Sequence, residues 1–226
     1  MIHQNLFQFL SELKKNNHKE WFYDQKPVYQ IVRKQFEQLI AQAILDISSF
    51  DESVKYTDPK KCIFRINRDI RFSKDKSPYK TNFGAFIAPG GRNTGNAGYY
   101  IHLEPGNCFL AGGIYMPPPD RLKAVRNEIY ENPEEFKKII ENKNFKKHFN
   151  GLLRDEMLKT APKGFPRDFE NIGLLKYKHY TVLKSISEEQ VLSDSFANEI
   201  RETFKALYPL NNFINRGIRF QLENSR

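Results

Sequence analysis

Between residues 61 and 115 the apolar positions leave the three-to-four-residue rhythm of a helix for strict alternation, and beyond residue 119 they return to it. A period of 3.6 buries one stripe of a helix, and a period of 2 buries one face of a strand. The chain therefore reads as a helical block, a sheet block and a second helical block. In the first block, Leu6, Phe9, Leu10 and Leu13 predict a helix over residues 3–15 that ends at Asn16-Asn17. Glu20-Trp21-Phe22 leads into a second helix opened by Pro27, with a stripe through Val28, Ile31, Val32, Phe36, Leu39, Ile40, Ala43, Ile44 and Ile47. The middle block predicts strands near residues 62–72, 82–88, 99–104 and 108–115, with a break near Asn67 left open. Its short connections, a Gly-rich stretch over 90–98 and Pro105-Gly106-Asn107, favour an antiparallel meander. Gly112-Gly113 inside a strand pattern marks a bulge or a close backbone approach.

Met116-Pro-Pro-Pro119 ends the sheet block, because proline cannot continue a ladder. Asp120 is placed to cap a helix carrying Leu122, Val125 and Ile129, and Asn132-Pro133 starts another with Phe136, Ile139 and Ile140 inward. Residues 152–168 read as irregular, whereas 177–185 alternate and add a strand. Ser187 and Gln190 form a capping-box pattern. A last helix through Phe196, Ile200, Phe204 and Leu207 is expected to stop at Pro209. The expectation is an α+β fold, an antiparallel-rich central sheet flanked by N-terminal and C-terminal helices. It is read as a single domain over 1–226: helical over 1–50, sheet-forming over 60–116, helical or irregular over 119–226.

The apolar fraction of 39%, with 19 Phe and 11 Tyr, supplies a core. No apolar run approaches the roughly 18 residues of a membrane span, so no membrane partner is expected. The N-terminus lacks the basic stretch, apolar core and cleavage site of a signal peptide. Cys62 and Cys108 each fall in a strand pattern without C-x-x-C spacing, as buried thiols of a reducing, cytoplasmic setting do.

The chain carries a net charge of +9, and +6 of it lies in residues 60–80. Eight cations there (Lys60, Lys61, Arg65, Arg68, Arg71, Lys74, Lys76, Lys80) face only Asp69 and Asp75. Such density attracts anions: phosphates, nucleic acid or acidic lipid. On an extended strand, Cys62, Phe64, Ile66, Ile70 and Phe72 would share the core face, interrupted by Arg68. Arg65, Asn67, Asp69 and Arg71 would share the other. Arginine offers a planar donor fork for carboxylate or phosphate, and Asp69 can orient one such fork. If the strand is unbroken, Arg65 and Arg71 stand about 20 Å apart at about 3.3 Å per residue and cannot hold one phosphate. A turn near Arg68-Asp69 would bring them together. The ordinary alternative is a solvated face with ion pairs worth roughly 0–1 kcal/mol each.

The pattern Arg65-x-x-Arg68-Asp69-x-Arg71-Phe72-x-x-Asp75-Lys76-x-x-Tyr79 resembles the defining motif of an uncharacterised bacterial and fungal family, domain-of-unknown-function family 2461. Trp21-Phe22 resembles its N-terminal block. Gly113-x-Tyr115-x-Pro117 with Arg126 resembles its middle block, and Pro162-Lys163-Gly164-Phe165 its later one. The resemblance implies a cytoplasmic single domain of about this length and brings no catalytic assignment, cofactor or partner.

Other signals are weaker. Gly90-Gly91-Arg92-Asn93-Thr94-Gly95 is neither a P-loop nor a dinucleotide fingerprint, so no cofactor is expected. His102 and Glu104 share a strand face with Tyr100, but no second histidine pair or cysteine cluster supports a metal. Tyr79, Tyr115 and Trp21 are candidates for stacking, though aromatics usually pack inside. The reading is therefore binding of a phosphorylated or other anionic ligand by Arg65, Arg68, Arg71, Lys76 and Lys80, with Asp69 orienting the arginines. Were the site catalytic, Asp69 is the candidate base and Tyr79 the candidate acid. The rivals are a nucleic-acid-binding module and a buried salt-bridge network of purely structural role. Whether the arginines converge on an open concavity decides among these.

Overall fold

The structure is a computed structural model that describes residues 2–224. The chain opens with helices α1 (Gln4–Lys15), α2 (Lys19–Asp24) and α3 (Lys26–Ser48), a 3₁₀ turn (Glu52–Val54) and the short helix α4 (Pro59–Cys62). Strands β1 (Phe83–Ile87), β2 (Gly98–Leu103) and β3 (Cys108–Ile114) follow. Next come α5 (Pro119–Glu131), α6 (Pro133–Glu141), α7 (Lys143–His148) and α8 (Ile172–Leu175), then β4 (Tyr180–Ile186), α9 (Glu188–Leu192) and α10 (Phe196–Asn224). The four strands form one antiparallel sheet in the order β1-β2-β3-β4, so the fold is α+β.

Two compact units divide the chain. The first holds residues up to Arg92, Tyr100–Leu110 and Ser185–Glu202; the second holds Asn93–Tyr99, Ala111–Lys184 and residues from Thr203 onward. In the first unit the predicted stripes are buried: Leu6, Phe9, Leu10 and Leu13 of α1, and Val32, Phe36, Leu39, Ile40, Ala43, Ile44 and Ile47 of α3. Val28 and Ile31, assigned to the same stripe by periodicity, are exposed at 36% and 56%. Aromatic rings tie these helices to β1, with Tyr29 stacked at 6.2 Å and Phe36 tilted at 5.4 Å against Phe83. Pro27 lies in the first turn of α3, where its missing N–H leaves no bond unmade.

In the second unit, α10 runs through Pro209 where a stop was expected. Proline withdraws one i→i−4 donor, a local loss that buried packing beyond it outweighs. Leu210, Phe213, Ile214 and Ile218 continue the apolar stripe. The side chains of Asn211 and Asn215 bond the backbone of Gly98 and Ala97. Asp120 does not cap α5. Pro118 occupies that position, and Asp120 sits in the first turn, where a carboxylate meets the positive end of the helix dipole. The capping box of Ser187 and Gln190 is present, and the strand expected over 177–185 is β4. Gly113 has φ +99, and a Cβ there would run into the Tyr180 carbonyl, which is the close backbone approach its sequence context suggested.

One predicted strand is absent as such. Residues 62–72 do not form a continuous element: residue 62 closes α4, and only Ile63 and Asn67 make bridges, to Ala85 and Tyr79. The alternating pattern was misleading from Ile63 onward, since Ile63 is buried while Phe64 is 37% exposed, Ile70 is only half-buried and Phe72 is 96% exposed. The Arg68 amide still bonds Pro78 O at 2.9 Å, and beyond it the chain turns, with the Ser73 amide on Ile70 O at 3.3 Å.

Candidate anion-binding site

Residues 63–85 form an irregular hairpin whose inner arm extends the open edge of β1. The Phe64 amide donates to Gly84 O, the Lys80 amide to Ile66 O, and the Arg68 amide to Pro78 O, each at 2.8–2.9 Å. Between the first two of these bonds one arm advances two residues and the other four, so residues 81–83 bulge from the ladder. Asn17, in the break between α1 and α2, clamps the second arm. Its side-chain amide accepts from Tyr79 N and donates to Tyr79 O, both at 3.0 Å, as a neighbouring strand would.

The tip, residues 69–77, is held by its own charges. The Arg68 guanidinium binds the Asp75 carboxylate and donates to Ser77 O at 3.0 Å and Ser73 Oγ at 3.4 Å. Asp75 also accepts from the amide and hydroxyl of Ser77 at 2.9 and 2.7 Å. Those Ser77 bonds, with Arg68 behind them, hold the Asp75 carboxyl at about 2. Asp69 takes the Arg71 fork in two bonds, 3.0 and 2.7 Å, which lowers the acid and raises the base. Lys76 Nζ donates to Ile70 O at 3.1 Å. Thus Asp69 orients an arginine as expected, but the fork it orients is then occupied and exposed.

Arg65, Arg68 and Arg71 do not converge. The concavity at this place measures about 360 Å³ and is lined by Lys14, Asn17, Arg68, Asp75, Ser77, Tyr79, Lys80, Thr81 and Asn82. Arg65, Asp69, Arg71 and Lys76 are not among its walls. Three cations line it against one carboxylate. Tyr79, only 8% exposed, stacks on Phe22 at 4.0 Å, and burial, with Glu20 adding to it, raises its hydroxyl pKa. The ring is therefore a wall of the site and part of the core at once.

Lys80 has a distinctive setting. Its Nζ donates to Arg65 O at 2.9 Å and lies 5.4 Å from the Phe64 ring centre. Burial, then the charges of Arg65 and Arg92, lower its pKa. Arg92 reaches the same ring at 5.6 Å and donates to Lys61 O at 2.7 Å. Gly91 permits this approach. It has φ +105, and a Cβ there would press on Lys61. Among the described residues, no carboxylate forms an ion pair with Arg65, Lys80 or Arg92.

Behind this edge, on β2, Tyr100 Oη lies 2.9 Å from His102 Nδ1, and His102 Nε2 lies 3.3 Å from Glu104 Oε2. Thr81 Oγ donates to Glu104 at 2.7 Å, and Asn82 meets His102 at 3.4 Å. The row predicted to share a face does so, and it anchors two residues of the concavity's wall. Burial lowers the His102 pKa against the pull of Glu104 and raises that of Tyr100 to about 12. Among the described residues no group of three or more metal-ligating side chains occurs.

A family model described as "Conserved hypothetical protein (DUF2461)" matches residues 5–213. The chain belongs to this family. No curated protein and no solved structure matches it. In this DUF2461 chain the contributions of Lys14, Asn17 and Arg92 had no local signal in the sequence. Asn17 reads there as a helix breaker and Arg92 as part of a glycine-rich loop. Only the tertiary pairing brings them to residues 61–80.

Proposed function

We propose that the protein binds a small phosphorylated or otherwise anionic ligand in the concavity beside Lys80. The observation that carries this reading is an excess of cations there without carboxylates to match. Among the described residues, Lys14 and Lys80 line the space without an ion pair, and Arg68 pairs with Asp75. Arg68 still has two of its five N–H donors unassigned, so it can hold Asp75 and an incoming oxyanion together. Ser77 and Asn82 add neutral polar groups to the wall. Arg65 and Arg92, close enough to depress Lys80, contribute positive potential. Arg71 and Lys76 serve the tip of the hairpin. A cytoplasmic setting fits the two free, buried thiols, whose pKa burial raises to about 11 and which are thereby inert. Among the described residues no helix is long and apolar enough to cross a membrane.

The test is thermal stabilisation and calorimetric titration with phosphate, pyrophosphate, sulfate and sugar phosphates. Lys14→Gln and Lys80→Gln are each expected to weaken the response about fivefold or more, as loss of a charge-assisted hydrogen bond does. Arg71→Lys is expected to leave it unchanged. An equal response from Lys14→Gln, Lys80→Gln and the parent would refute the site.

A further inference from the structure

Lysines elsewhere in the molecule show what an ordinary ammonium finds. Lys15 pairs with Glu12 at 2.9 Å, Lys137 with Glu134 at 2.9 Å and Lys178 with Glu156 at 3.1 Å. Lys80 finds the reverse. Among the described residues its ammonium bonds a neutral carbonyl, Arg65 O; the guanidiniums of Arg65 and Arg92 press on it, while Lys14, Arg68 and Asp75 line the same concavity; and it is half-buried. The Phe64 ring at 5.4 Å favours the cation and so acts against burial and the two guanidiniums. A neutral amine would keep its N–H bond to Arg65 O, lose the repulsion and carry a lone pair. Desolvation beside other cations is how a lysine becomes a nucleophile near neutral pH.

The surroundings position such a group. Lys80 follows Tyr79, whose backbone Asn17 clamps, and precedes Thr81 and Asn82, which are fixed to Glu104 and His102. The same concavity offers Lys14 and the unassigned donors of Arg68 to a carboxylate or phosphate. The buried cysteines are not rival nucleophiles.

We infer that Lys80 forms an imine with the carbonyl carbon of a small carbonyl compound that carries a carboxylate or phosphate. The amine lone pair attacks the carbonyl carbon and the C=O π pair moves to oxygen. One proton passes from the new ammonium nitrogen to that oxygen, giving a carbinolamine, which then loses its hydroxyl with the second nitrogen proton as water and leaves a C=N bond. No oxidant or reductant is needed. This inference rests on the anion-binding reading, and it assigns the ligand a reactive carbonyl as well as a charge.

The experiment is reductive trapping of the full chain with glyoxylate, and separately with dihydroxyacetone phosphate, in the presence of cyanoborohydride. Adducts are located by peptide mass mapping. The expected result is one dominant adduct, on Lys80, absent from Lys80→Arg and retained in Arg71→Lys, whose side chain is not part of the concavity. Arg65→Gln with Arg92→Gln raises the lysine pKa, so trapping should fall at neutral pH and recover in alkaline buffer, a signature that misfolding would not give. Adducts spread over many lysines at similar rates, with phosphate stabilisation intact, overturn the imine and leave the anion site standing. Loss of phosphate stabilisation in the parent itself overturns the anion site.

Discussion

The Asp75 carboxylate accepts from Ser77 through both amide and hydroxyl and from Arg68, and these bonds join the two ends of the hairpin tip. Its pKa of about 2 lies below the ordinary 3.8, so the folded tip favours the ionised form. The resulting stabilisation is complete above 3.8 and is lost as pH falls from there to about 2. Asp75→Asn should remove it at every pH. Because the pair is exposed, the expected effect is local: faster hydrogen exchange at the Ser77 amide and faster tryptic cleavage after Lys74 and Lys76, with little change in Tm. Unchanged exchange at Ser77 would mean the tip is held by something else. At this scale the sequence was partly legible. A guanidinium at an apolar register demands a partner, but which carboxylate supplies it depends on a turn that spacing alone does not show. Asp69, adjacent to Arg68 in sequence, closes instead on Arg71 two residues away.

Among the elements, the helical stripes and β1 through β4 could be read from the change of apolar period from 3.6 to 2 and back. The stretch over 62–72 could not, because the alternation there comes from residues that serve two different ends. Cys62, Ile63 and Ile66 are buried, while Phe72 projects from the tip. The continuation of α10 past Pro209 was equally hidden, since proline marks a local loss and the compensation lies in distant backbone. Asn215 supplies part of it by accepting from Ala97 N at 2.8 Å and donating to Ala97 O at 3.1 Å, in a buried place. Asn215→Ala should therefore leave two buried backbone groups unsatisfied and cost about 2–6 kcal/mol, at about 1–3 per group. Chemical denaturation would show it as a lower midpoint with an unchanged slope. Gly113→Ala should cost at least about 2 kcal/mol, because a side chain at φ +99 is strained and its Cβ has no room beside the Tyr180 carbonyl. A neutral Gly113→Ala would contradict the close packing of β3 and β4 at this point.

Taken over the whole chain, the charge of +9 is concentrated rather than spread, and much of the concentrated part is already committed. Arg68 and Arg71 each carry a carboxylate, and Lys76 is tied to the Ile70 carbonyl. Of the cations that remain, Lys14 and Lys80 line the concavity and Lys74 lies at the exposed tip. This decides between a small anion and a nucleic-acid track through salt. Each phosphate a protein neutralises on a strand contributes about 0.7–0.9 to the slope of log affinity against log salt. A ligand with one or two phosphates in the concavity should give a shallow slope, of about 2 or less. A polynucleotide needs many contacts, and the exposed tip with Phe72, Lys74 and Lys76 is where it would make them. Phosphate and pyrophosphate binding should thus survive Phe72→Ala with Lys74→Glu and fall in Lys80→Gln. Labelled single- and double-stranded oligonucleotides, titrated across several salt concentrations, should bind weakly. Tight oligonucleotide binding with a slope of about 4 or more, abolished by the tip substitutions and indifferent to Lys80→Gln, would transfer the function from the concavity to the tip.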